Sequence, residues 1–306
     1  MLATTVWRRQ SASSILWILC ERRPGMEKWK IIILLLPVSL ASCFHDLDET
    51  GAFHSKYNAN ERFEMSQEWS STHPFQIILI PDSDYSVLFC SDTHIGTYEE
   101  FNLVLNAAKS PSAAALVVAG DITRGHPESY DTLETLMNTA DSVNWFFTPG
   151  NHDLYFGGWD EYFPRFGASS YYFVVSTPAG NDVFIILDSG SGTLGSLQLD
   201  WLTEVLESFH SSARHITIAT HLNVFKDGFG TTSGLPIEEV NVLLDLCARY
   251  EVDYVIGGHD HDRNESELGP TNYIIMDQCH DDEDGSSYLE INYGSESINH
   301  DFHSLE

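Results

Sequence analysis

Five times along this chain a short apolar run of strand length stops, and the next side chains include Asp, His or Asn. Asp92 and His94 follow the run ending at Cys90, and Gly120 with Asp121 follow the run ending at Val118. Gly150, Asn151, His152 and Asp153 come after Asn144 to Phe147, His221 after His215 to Ala219, and Gly258, His259, Asp260 and His261 after Tyr254 to Ile256. In open α/β sheets ligands bind outside the carboxyl ends of the strands, where loops distant in sequence converge. The pattern therefore demands a sheet architecture that brings five loops to one edge. A lone His or Asp in such a place is ordinarily a satisfied surface or core residue; five loops carrying them together read as a site. Carboxylates, imidazoles and an amide form a mixed hard and borderline donor set, suited to a pair of divalent first-row metals rather than to calcium or a thiolate zinc.

The periodicity supports that architecture. Strands are predicted at Phe75 to Ile80, Ser86 to Cys90, Ala115 to Val118, Asn144 to Phe147, Tyr171 to Ser176, Val183 to Leu187, His215 to Ala219, Tyr254 to Ile256, Tyr273 to Met276 and Tyr288 to Ile291, and helices at Tyr98 to Lys109, Tyr130 to Asp141, Ser196 to Phe209 and Ile237 to Tyr250. The first half alternates strand and helix, which implies parallel pairing with crossover helices; the last strands follow one another, which implies an antiparallel part. Gly120, Gly150 and Gly258 precede candidate ligands at sharp turns, where positive φ or close backbone approach calls for glycine.

Charge narrows the function classes. With 15 Lys and Arg against 45 Asp and Glu, the formal net charge of −30 repels nucleic-acid backbones, so no nucleic-acid scaffold role is expected. The 5 cysteines include no C-x-x-C pair and form no disulfide framework. Cys43 stands apart: Lys28 and Lys30 precede the apolar run Ile31 to Ala41, which is too short to span a bilayer, a feat taking about 20 residues. Leu40-Ala41-Ser42-Cys43 resembles a bacterial lipobox, in which the cysteine is lipidated and begins the mature protein. On this reading Met26 is the start and residues 1–25 an upstream extension. The chain divides into 1–42 (extension and signal), 43–74 (tether and docking segment, with a helical piece around Glu61 to Trp69) and 75–306 (one catalytic domain), and the protein is expected outside the cytoplasm, held to a membrane through Cys43.

The ordered set D-x-H, G-D, G-N-H-D, a lone H and G-H-x-H resembles the calcineurin-like metallophosphoesterases, over roughly Ser86 to Asn292. Ile186-Leu187-Asp188-Ser189 and Leu199-Asp200-Trp201-Leu202 are similar to segments of cyclic-nucleotide-phosphodiesterase-like members. The resemblance implies an α/β fold of two mixed β-sheets packed as a sandwich and flanked by helices. It implies one metal on Asp92, His94, Asp121 and His261 and a second on Asp121, Asn151, His221 and His259, the ions being Mn, Fe, Zn or Co. It also implies a bridging hydroxide that attacks the phosphate ester, with His152 as the catalytic side chain off the metals and Asp153 fixing its tautomer. Another hydrolytic use of the same centre, or a non-catalytic lipoprotein binding module on the same fold, stays open.

The remaining polar residues have plainer readings. Arg124 is the phosphate-clamp candidate, because a guanidinium fork matches phosphate oxygens. Asp188 reads as a strand-end residue satisfying backbone, and His126, His210, His280, His300 and His303 as surface residues. Asn223 to Gly234, with Lys226, reads as a surface loop or a lid, and Asp281 to Asp284 as a solvated turn.

Overall fold

The computed structural model describes residues 55–226, 234–281, 285–295 and 297–305, within a compact unit spanning Asp48–Glu306. The predicted leader, Cys43, residues 227–233 and residues 282–284 lie outside the described residues. Two sheets form the frame. Strands β1 (Ile77–Leu79), β5 (Tyr171–Thr177), β6 (Gly180–Ile186), β7 (Ala213–Ala219), β8 (Tyr254–Gly257), β9 (Asn264–Leu268) and β10 (Thr271–Ile275) make a seven-stranded sheet in the order β1-β5-β6-β7-β8-β10-β9. Strands β2 (Tyr85–Cys90), β3 (Ala113–Ala119), β4 (Trp145–Thr148), β11 (Ser287–Tyr293) and β12 (Ile298–Ser304) make a five-stranded sheet in the order β12-β11-β2-β3-β4. As expected, β2, β3 and β4 are parallel and joined by helices α2 (Glu99–Ala108) and α3 (Pro127–Asn138), while β11 runs antiparallel to both β12 and β2.

Strand alternation explains the layering. Tyr85, Val87 and Phe89 of β2 face the seam between the sheets, where they join Val117, Phe146, Phe173, Phe184 and Ile256. Leu88 and Cys90, one step over, point the other way and pack under α2 and α3. A strand buried on both faces reads as a nearly continuous apolar run, here Val87 to Cys90, which is why it was visible as a strand. The rings of Phe146 and Phe173 stack across the seam with centroids 3.6 Å apart. Helices α6 (Ser196–Phe209) and α7 (Ile237–Arg249) cover the outer face of the larger sheet.

Three elements depart from the sequence pattern. β9 and β12 are edge strands carrying Glu265, Glu267, His300 and Asp301, half or fully exposed and lacking an apolar period. Helix α5 (Trp159–Phe166) holds Pro164 and follows Gly157 and Gly158, a loop-like composition. Before the first strand, α1 (Ala59–Thr72) is set by a capping box: Glu61 N donates to Asn58 Oδ1 at 3.0 Å, and Asn58 N to Glu61 Oε2 at 2.8 Å. Among the described residues no helix is long and apolar enough to cross a membrane.

Candidate metal centre

All five predicted loops meet where the two sheets abut. Asp92 and His94 leave β2, Asp121 leaves β3, and Asn151 and His152 open the short helix α4 (Asn151–Leu154) after β4, all from the smaller sheet. His221 leaves β7, and His259 and His261 leave β8, from the larger one. The loops after β2 and β3 stay paired beyond the strands: Asp92 N donates to Gly120 O at 3.0 Å, His94 N to Asp121 O at 2.9 Å, and Ile95 N to Ile122 O at 2.9 Å.

Ligand atoms of Asp92, His94 and His261 lie within 4.8 Å of one another, as do those of His94, Asp121 and His152, and those of Asp121, His221 and His259. His94 and Asp121 link the three groups into one cluster. Asp121 is its hub: Oδ1 accepts from His152 N at 2.8 Å and faces His221 Nε2 at 3.5 Å, while Oδ2 lies 3.9 Å from both His94 Nε2 and His152 Nε2. Asn151 turns its Oδ1 to His221 Nε2 at 3.1 Å, and its Nδ2 donates to Tyr155 Oη at 3.0 Å.

The backbone bears a cost for this convergence. Asp92, His94, Asp121, His259 and His261 all have positive φ, from 39° to 72°, in a region that costs a non-glycine residue about 1–3 kcal/mol. The glycines relieve crowding as expected. A Cβ on Gly150 would stand 2.1 Å from Asp121 Oδ1, and one on Gly120, whose φ is 87°, would stand 2.4 Å from His221 Nδ1.

The donor chemistry fits divalent first-row ions. His221 Nδ1 sits 3.0 Å from Ala119 O, so it carries a hydrogen there and Nε2 is the nitrogen turned to the cluster. Asp92 Oδ1 and His94 Nδ1 are buried without hydrogen-bond partners, although His261 Nε2 comes within 3.2 Å of Asp92 Oδ1. Burial lowers His94 to about 4, keeping it neutral. Burial also works against a charge on His221, but the Asp121 carboxylate outweighs it and lifts the imidazole to about 10. For Asp121, burial opposes ionisation, yet His221 holds the carboxyl well below the usual range. A proton on His221 thus balances Asp121, and a cation binding there must displace it.

Three expectations need correction. Asp153 does not orient His152: its Oδ2 accepts from Gly150 N at 2.9 Å and Ile122 N at 3.0 Å, its Oδ1 from Thr123 N at 3.0 Å and Tyr130 Oη at 3.1 Å. Neighbours in a helical turn point apart, so Asp153 ties the β3 and β4 loops together from below. Burial, with Asp121 nearby, raises it to about 7. Asp188 does more than satisfy backbone, because Arg62 of α1 grips both its oxygens, at 2.8 and 2.9 Å. His280 is buried rather than on the surface; its ring lies 5.7 Å from that of His94, and its Nε2 is 2.8 Å from Arg124 Nη2. Arg124, exposed, is thereby held at the rim of the cluster.

A model of the calcineurin-like phosphoesterase family matches residues 85–263, more than half of the chain. The chain belongs to this family. The phosphoesterase is metal-dependent and hydrolyses phosphate esters. No curated protein sequence matches it. Among solved structures, a dimetal phosphatase from Danio rerio is 14% identical with a TM-score of 0.57, covering 72% of this chain and 96% of that one. Purple acid phosphatase PPD1 from yellow lupin is 11% identical at 0.56, covering 74% and 52%. GAP50, described as the anchor in the inner membrane complex of Plasmodium, is 14% identical at 0.55, covering 74% and 86%. At these identities the likeness concerns the fold alone. Both the two mixed sheets and the flanking helices agree with the sequence expectation.

Proposed function

We propose that this phosphoesterase holds two cations of the Mn, Fe, Zn or Co kind, one on Asp92, His94, Asp121 and His261 and one on Asp121, Asn151, His221 and His259. The observation that carries the reading is the position of Asp121, one carboxylate reaching both the His94 and the His221 ends of the cluster. When bound, such ions supply Lewis acidity at phosphorus and an activated water. The chain's own residues do the rest. The His152 side chain is 42% exposed and so faces the entering ester, where Nε2 gives a proton to the leaving oxygen. Arg124, steadied by His280, clamps a non-bridging phosphate oxygen. Phosphate release and diester cleavage by the purified protein, with Mn, Fe, Co and Zn added in turn, test the activity and its metal preference.

His152 also sits in ligand range of His94 and Asp121, so its role needs its own measurement. His152→Ala is expected to keep its metal content while turnover falls by about 10² to 10⁴, the usual worth of general acid help. Metal loss in that variant, read by elemental analysis, makes His152 a ligand instead.

The subfamily reading, nearer to cyclic-nucleotide-phosphodiesterase-like members, rests on Ile186 to Ser189 and Leu199 to Leu202. Anchoring outside the cytoplasm rests on the basic start, the short apolar run and Leu40 to Cys43. Cys43→Ser is expected to free the protein from the membrane fraction or leave its signal uncut. Intact mass is the direct check: the expected species is the chain from Cys43 plus acyl groups, and an unmodified chain keeping Met1 refutes both the lipid anchor and the Met26 start.

A further inference from the structure

Beside the metal cluster, with Asn151 and His259 on its wall, lies a cavity of about 600 Å³, within the size range of small-molecule sites. One wall is Tyr57 and its neighbours at the start of α1; the other is the loop after β6, with Ser191 and Thr193; Leu154 and Tyr155 join them. The family match begins at residue 85, so the first wall is built from sequence outside the span that carries the metal-binding motifs.

The two walls are pinned by one side chain. Arg62, fully buried, donates Nη1 to Tyr57 O at 2.7 Å and Nη2 to Ser191 Oγ at 2.9 Å while it grips Asp188. The start of α1 is further tied to α6, where Leu197 N donates to Asn60 Oδ1 at 3.2 Å. A cavity held this way is preformed, so little ordering cost falls on its occupant.

The wall chemistry selects the occupant. Lys56, the cation among the described lining residues, is paired with Asp160 at 2.9 Å, and Glu61 is spent on the capping box. What remains for a ligand is neutral: the half-buried tyrosines Tyr57 and Tyr155, the Ser191 hydroxyl and the apolar Leu154, the Thr193 hydroxyl being bound to Glu239. A second phosphate or a carboxylate would have to compete with Asp160 for Lys56, in a protein already at −30. An uncharged ring with a hydroxyl gains aromatic contact and neutral hydrogen bonds.

We infer that this cavity is the leaving-group pocket, built for an uncharged, ring-bearing alcohol and closed to a second anionic group, with Tyr57 as its recognition residue. The inference rests on the phosphoesterase reading of the adjoining centre. Its test compares phenyl phosphate, 4-carboxyphenyl phosphate and glycerol 1-phosphate on the metal-loaded protein. Tyr57→Ala is expected to raise KM for phenyl phosphate about tenfold with kcat little changed, and to leave KM for glycerol 1-phosphate within about twofold. Tyr57→Phe, which keeps the ring, should retain the wild-type KM and guards against a folding artefact. Wild-type kcat/KM for 4-carboxyphenyl phosphate should be lower than for phenyl phosphate by about tenfold. Equal KM shifts for the ring-bearing and ring-free esters in Tyr57→Ala, or a preference for the carboxylated ester, overturns the assignment. Saturation-transfer NMR with phenol, which needs neither metal nor phosphate, separates the two readings. Phenol signal present in wild type and lost in Tyr57→Ala supports the pocket even if no ester is hydrolysed; no signal in wild type refutes it even if hydrolysis is found.

Discussion

Asp121→Asn is expected to lower the metal content and to cut turnover by roughly 10³-fold or more, the scale of losing about 4 kcal/mol of transition-state stabilisation. The fold should survive, because an asparagine Oδ1 still accepts the 2.8 Å bond from His152 N. What goes is the negative charge that both ends of the cluster share, Oδ1 toward His221 and Oδ2 toward His94. A metal-free readout follows from the same residue. The carboxylate is the largest of the causes that raise His221 to about 10 against its burial; with a neutral amide there, the imidazole falls from that value. Elemental analysis, turnover and an NMR titration of His221 therefore move together. Unchanged metal content with kcat/KM within about threefold of wild type would remove Asp121 from the centre of the site.

The candidate ligands were legible because they depend on two things a sequence displays: the residue type and the end of an apolar run. Asp92, His94, Asp121, Asn151, His221, His259 and His261 all sit within a few residues of a strand end, and the structure gathers their loops into one place. His280 follows the end of β10 too, but five residues on, beside an acidic patch that reads as a solvated turn. Its burial against His94 comes from packing between the sheets, which no local pattern reports. Asp153 was misread for a different reason. The resemblance implied that it serves His152, whereas the turn of α4 sends the two side chains apart and gives Asp153 to the backbone of the neighbouring loop.

The fold shows the same division. β2, β3 and β7 carry apolar runs into the core and were visible as strands. β9 and β12 gain their extended form from a partner strand rather than from burial, so polar residues suffice and no period marks them. The Arg62–Asp188 pair lies further out of reach, since its members stand 126 residues apart and Arg62 sits in no recognisable motif.

That pair supports the last expectation. Arg62→Met should destabilise the protein by about 3–5 kcal/mol, because it leaves the Asp188 carboxylate buried and without its cation. The arginine is inaccessible and Asp188 nearly so, with side-chain exposures of 0% and 3%. Ser169 Oγ, at 2.9 Å from Asp188 Oδ2, still donates, but a neutral hydroxyl does not replace a bidentate guanidinium. Tyr57 O and Ser191 Oγ lose their donor in the same step, so the loss extends to both cavity walls. At about 2–4 °C per kcal/mol for a domain of this size, the melting temperature should fall by roughly 10 °C. The double variant Arg62→Met, Asp188→Leu is expected to recover much of the loss, since replacing both partners of a buried ion pair by apolar groups is often close to neutral. Recovery of stability together with a raised KM for a ring-bearing ester assigns the pair to holding the pocket walls in place. A single Arg62→Met variant within about 1 kcal/mol of wild type in a urea melt shows instead that water reaches Asp188 and that α1 is held by its apolar contacts alone.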